Sequence, residues 1–255
     1  MTRSVFTQTL KEQRRGLVGW SVGVAVVALV YLPSFHSLKE QGSLDNIKQN
    51  GVYDALGIGD FASGTGFLHS MIYSMMGLLL LLIFAVTFAA RSAGQEENGT
   101  LDLLLAQPIS RIGLLGQRFA ALAVQTAVVT TALALAVIAG ADAGELGVPV
   151  GNIVAASAGL GLLALAVGTL TLLVGAATGK RSLTLGFASV IALAGFLANT
   201  LGADWVRKIS PFYYAIGDAP VINGWNIGHL LVLMAVSAIA LALALRAFQR
   251  RDLAV

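Results

Sequence analysis

The chain has 255 residues, a net charge of +3, 56% hydrophobic residues and only 11% charged ones; its mean hydropathy is +0.80. Soluble domains carry about 25% charged residues, so this composition excludes disorder, a soluble enzyme and a coiled coil, and points to an all-α polytopic membrane protein. The absence of cysteine excludes disulfides, thiolate catalysis and Cys-type zinc sites.

Residues 1–15 place Phe6 and Leu10, with Leu17 beyond them, at helical spacing and Lys11, Arg14 and Arg15 toward the other side. That pattern predicts an interfacial helix on the inner leaflet; a plain charged tail is the alternative. A first span over 16–32 is the weakest of six, being short and holding Gly16, Gly19, Ser21 and Gly23. No A-x-A cleavage site follows it, so it is expected to stay in the protein rather than act as a signal peptide. A polar, Gly-rich loop from Pro33 to Gly66 leads to the second span, 67–90, whose unbroken run Leu78 to Phe84 makes it the strongest.

The loop from Arg91 to Arg111 reads RSAGQEENGTLDLLLAQPISR. Thr100 is a good N-cap, and Asp102 sits in the first turn, where the helix dipole favours an anion. Leu101, Leu104 and Leu105 fall at i, i+3 and i+4, and Pro108 stops the helix, which leaves a short helix over about 100–106. Ser110 then caps the next span. A helix this short is unstable alone in water and needs a groove. Its leucines either pack under the protein's own span ends or dock into a soluble partner, with Glu96 and Glu97 at the rim.

The third span, 112–140, contains Arg118, placed near the inner end where a long side chain can snorkel. The fourth and fifth spans are 153–178 and 183–201, and the sixth is 227–245. Between the last two, Trp205, Phe212, Tyr213, Tyr214 and Trp225 form either an interfacial aromatic belt or a partly re-entrant element sealing the outer mouth of a pathway. Of the 16 Lys and Arg residues, 12 fall on one side of this arrangement. The positive-inside rule then puts both termini in the cytoplasm.

No catalytic constellation appears. His36, His69 and His229 have no ligand spacing, and Gly175 to Lys180 fails as a phosphate loop because Arg181 stands where Ser or Thr is needed. The chain is therefore not expected to hydrolyse ATP, to hold a metal or to bind a cofactor of its own. The spans are almost free of ionisable groups, which suits an amphipathic or lipophilic cargo. Ser70, Tyr73, Ser74 and Met76 offer hydroxyls and an aromatic surface for its pathway. Gly19-x-x-x-Gly23 and Ser182-x-x-x-Gly186 are small-residue ridges fit for a dimer interface, although such ridges also serve packing within one chain.

The stretch Glu96 to Arg111 resembles the acidic, Gly-Thr, leucine, Pro, Ser-Arg stretch after the second span of ABC-2 type permeases, the membrane subunits of bacterial ATP-binding-cassette exporters. Ser210-Pro-Phe-Tyr-Tyr214 and Phe248 to Leu253 are similar as well, so the likeness covers the whole chain. The resemblance implies a single six-span domain over 1–255 in the bacterial cytoplasmic membrane. It implies pairing with a second permease subunit, identical or not, and a separate cytoplasmic ABC ATPase that binds ATP and Mg. It makes the 100–106 helix the coupling helix, with Glu96, Glu97, Thr100, Leu101, Leu104 and Leu105 at the contact and Lys180 and Arg181 at a smaller second one. Members export drugs, antibiotics or lipids. A stand-alone or ion-coupled carrier, or a non-transporting scaffold or sensor subunit, is the competing reading.

Overall fold

Within a bilayer every backbone polar group must find a partner inside the chain, so long apolar stretches become helices. The computed structural model describes residues 4–41, 63–97 and 110–250, and these form helices with no strand among them. α1 (Val5–Tyr31) and α2 (Ser34–Glu40) come first. α3 (Gly64–Leu68), a π-helical segment π1 (His69–Met76) and α4 (Gly77–Glu97) run on without a break. α5 (Arg111–Ala143), α6 (Val150–Thr178) and α7 (Arg181–Leu201) follow. α8 (Asp204–Ile209), a second π-helical turn π2 (Tyr213–Gly217) and α9 (Pro220–Asn223) precede α10 (Ile227–Arg250). Six of these rods are long and apolar enough to cross a membrane. The protein is an all-α, multi-pass membrane protein.

The centre of the bundle is α6. Of its most apolar stretch, 67% is buried inside the chain, against 17% for α1 and for α7. A helix that is apolar on every side belongs in an interior, and in lipid its packing depends on small residues that let backbones approach. Gly159, Gly161, Gly168 and Gly175 do this on α6: a Cβ on them would meet Ala215, Thr130, Leu122 and Ala93 respectively, none further than 3.4 Å. α4, α5, α7 and α10 all pack on it. Thr171, fully buried, returns its hydroxyl to the Val167 carbonyl at 2.8 Å, so it needs no outside partner.

α1 lies mainly along α5. Gly140 and Gly144 open that seam; a Cβ on Gly144 would strike the Leu32 carbonyl. The expected interfacial helix over 1–15 is not a separate element, because α1 runs straight through residue 16. Its buried face is Val5, Gln13, Val24 and Ala28 rather than Phe6, Leu10 and Leu17. Val5 enters a small cluster with Leu114, Leu115, Ala176, Ala244 and Phe248, which ties the start of α1 to the starts or ends of α5, α6 and α10. Lys11, Arg14 and Arg15 are exposed, as their spacing predicts.

Local signals set the helix ends. Ser110 caps α5 as expected, its Oγ accepting from the Gly113 N–H at 3.1 Å. Gly175 to Lys180, the failed phosphate loop, is the end of α6. Gly179 takes a left-handed conformation, with φ +66°, and its N–H reaches the Gly175 carbonyl. Only glycine adopts that turn without strain.

The segment between α7 and α10 is neither a loose loop nor a simple aromatic belt. Trp205 and Trp225 are exposed, but Phe212, Ala215, Ile216 and Val221 are buried. Phe212 stands edge-on to Phe196 of α7. The Ala215 backbone rests on Gly159. Tyr213, Tyr214 and His229 form a ring cluster beside it.

Candidate functional site

One end of the bundle gathers the basic residues. The start of α1 is held to α5 by the Phe6 N–H donating to Gln117 Oε1 at 3.0 Å. The end of α4 is held to the start of α7 by the Arg181 N–H donating to Glu97 Oε2, also at 3.0 Å. The Arg181 side chain lies against Gly94, where a Cβ would come within 3.1 Å of its Cδ. Glu97, Lys180 and Arg181 are all exposed. Two of the contacts expected from sequence, 84 positions apart, are therefore one place. Thr100, Leu101, Leu104 and Leu105 lie outside the described residues, as does the side chain of Glu96. At the opposite end, Asn152 of α6 donates to the Val221 carbonyl at 3.0 Å, and Asn226 donates to Asp218 at 3.0 Å.

The stripe Ser70, Tyr73, Ser74 and Met76 falls wholly in π1. The Gly77 N–H bonds to the Ile72 carbonyl, five residues back. A Cβ on Gly77 would come within 2.7 Å of that carbonyl, so glycine permits the widened turn. Such turns recur at functional sites. Tyr73 is 1% exposed; its hydroxyl donates to the Ile153 carbonyl at 3.1 Å and meets Ser157 Oγ at 2.8 Å. Ser74 pairs with His69 Nε2 at 3.2 Å. In this conformation α6, the fourth span, closes over Tyr73.

A larger space lies elsewhere. A cavity of about 290 Å³ sits between α6, α7 and the α8–Phe212 segment. Val167 and Leu170 form one wall, Ile191 and Ala198 another, and Val206 and Phe212 a third, and the space opens to the surface beside the exposed Ile209. Apart from Ser210, whose hydroxyl is donated to the Gly195 carbonyl at 2.7 Å, the lining carries no polar side chain. This is an apolar chamber approaching the size of a small-molecule site.

The family model for the C-terminal domain of the multidrug efflux system permease Rv1217c matches residues 3–249. The chain belongs to this family. No curated protein matches it significantly.

Two features of this permease escape the sequence reading. The chamber needs α8 and Phe212 folded back onto α7, and only the run Ser210-Pro-Phe after a helix-breaking stretch hints at it. Arg118 does not snorkel: it is 7% exposed and turned inward, donating from Nη2 to Gln95 Oε1 of α4 at 2.7 Å. The two small-residue ridges behave alike. Gly19, Gly23 and Gly186 have open space where a Cβ would stand, and Ser182 is exposed. Among the described residues, neither ridge is used for packing within the chain.

Proposed function

We propose that the chain is the membrane subunit of an ABC-2 type exporter that moves amphipathic or lipophilic compounds out across the bacterial cytoplasmic membrane. The observation that carries this reading is the Glu97–Arg181 junction. It joins the end of α4, from which the leucine-rich segment departs, to the α6–α7 turn, at the end of the bundle where the basic residues collect. That end faces the cytoplasm by the positive-inside rule, so both termini are cytoplasmic. A separate ABC ATPase, with ATP and Mg, docks there.

The test is subunit recovery. Leu104→Asp with Leu105→Asp should abolish co-purification of the partner ABC ATPase and leave membrane insertion intact, since neither leucine lies in a span. Undiminished recovery of the ATPase with the double variant refutes the coupling role.

The open ridges support a second permease subunit against α1, α7 or both. Close helix approach over small residues drives association in lipid, where there is no hydrophobic gain between helices. Val22 is 55% exposed and Val190 is 64% exposed, each beside one ridge. Cysteines placed there in this cysteine-free chain should crosslink between subunits in native membranes. Crosslinks confined to α4- or α10-facing positions contradict this arrangement.

A further inference from the structure

Arg118 poses a problem that neither family nor coupling role resolves. A guanidinium inside a span costs about 2.5–3.5 kcal/mol even on the mildest scale. It also has five N–H donors to satisfy. Its one side-chain partner in the described structure is Gln95, a neutral amide. Among the described residues, ion pairs involve only His36 and His229. Glu12, whose charge reaches Arg118, forms no ion pair with it and is bonded instead by Gln8 Nε2 at 2.9 Å.

The surroundings are polar in a consistent way. Arg118 lines a cavity with Gln13 of α1, Arg91, Ser92 and Gln95 of α4, and Gln125 of α5. No carboxylate is among the described residues lining it. Gln125 is 1% exposed, and its Nε2, a donor, has no hydrogen-bond partner. Buried amides left with open positions are uncommon in native proteins and call for an occupant. Two guanidiniums converge here, Arg91 being stacked 4.6 Å from the Phe88 ring centre, which fixes its direction. The free space between these side chains is about 20 Å³, enough for one oxygen-sized group. Phe88, Leu122 and Leu172 supply apolar wall beside it.

We propose that this cluster is an oxyanion site, and that it takes one phosphate oxygen of an anionic lipid head group at the basic end of the bundle. Arg118 and Gln125 supply N–H donors to the oxygen that enters. Arg91 meets the remaining phosphate oxygens at the mouth, and the acyl chains lie along the apolar wall. Guanidiniums match phosphate geometry better than ammonium groups do. Basic pockets between spans on the cytoplasmic side are the natural place for such head groups. The site joins α1, α4 and α5, so an occupied site braces these three helices, and α4 carries Glu97 of the junction with Arg181.

The test is thermal unfolding of the purified permease in mild detergent, without the ATPase, so that its outcome does not depend on the transport reading. Phosphatidylglycerol, phosphatidylcholine and inorganic phosphate are titrated in parallel. Phosphatidylglycerol should raise the midpoint saturably by several degrees, and phosphatidylcholine should not. Arg118→Gln should lose that response, and Arg15→Gln, an exposed basic position on α1, should keep it. If Arg118→Gln fails to fold, Arg118→Lys should respond only at higher lipid concentration, because it keeps the charge and loses the fork. A shift from inorganic phosphate alone assigns the same oxyanion site to the free ion; a requirement for acyl chains assigns it to the lipid. Equal stabilisation by phosphatidylcholine, or a full phosphatidylglycerol response in both Arg118 variants, overturns the proposal. The latter result would mean that a carboxylate of the chain, such as Glu96 or Asp102, neutralises Arg118.

Discussion

Gly168→Leu should leave little folded protein, whereas Gly168→Ala should fold with a modestly lower melting temperature. Gly168 faces α5 and α4 together: a Cβ there lies 3.0 Å from Leu122 Cδ2 and 3.3 Å from the Ala85 Cβ. An alanine needs a few tenths of an ångström from a leucine methyl. A leucine needs room that both helices would have to surrender. Overpacking of this kind costs about 1–3 kcal/mol in soluble cores. In a bilayer, separating the helices recovers nothing, because lipid tails are as apolar as the leucine. Detergent-solubilised yield and thermal midpoint, measured for the two variants side by side, give the answer. Equal midpoints for Gly168→Ala and Gly168→Leu would show that α6 is not the packing centre.

That central role was poorly legible in the sequence, although the six spans were plain. Hydropathy ranks a segment by its preference for lipid over water, and on that measure the run Leu78 to Phe84 stands out. Packing within lipid is decided by how closely backbones approach. The hydropathy of α6 does not set it apart from its neighbours, and its signal was the glycines and alanines that let other helices approach it. Ser110 was legible for the opposite reason: a cap is a local event, settled by a hydroxyl and the N–H three residues on.

Arg118 and the π1 stripe show where local reading stops. Snorkelling is the right default for an arginine near a span end, but it assumes that the side chain faces lipid. Position 118 faces α4, and which face of a helix turns inward is set by neighbours far away in sequence. The stripe Ser70, Tyr73, Ser74 was grouped by ordinary helical spacing, and the widened turns of π1 do keep these residues together. Tyr73 is closed off by Ile153 and Ser157 of α6, 80 and 84 positions on. The Glu97–Arg181 contact was anticipated as two separate elements through family resemblance, and its geometry required the fold.

The remaining expectation concerns cargo. The chamber of about 290 Å³ beside α7 offers hydrophobic burial and almost no fixed polar partner. A lipophilic compound therefore loses little by entering from the bilayer. Ala198 lines this chamber half-buried, and Leu193, five residues earlier on the same helix, is 58% exposed and does not line it. A phenyl ring at 198 fills the space; one at 193 projects outward. With permease and ATPase in inside-out vesicles, ATP-dependent uptake of a lipophilic fluorescent dye below saturation should fall about tenfold in Ala198→Phe, equivalent to about 1.4 kcal/mol of lost binding. Leu193→Phe should transport as the unaltered protein does, and both variants should recover the ATPase equally. The loss should appear in the concentration dependence for the dye and not in the basal ATPase rate. That split distinguishes an occupied site from a broken coupling path. Unchanged uptake by Ala198→Phe would place the cargo route elsewhere, with the π1 stripe, opened by movement of α6, as the next position to block.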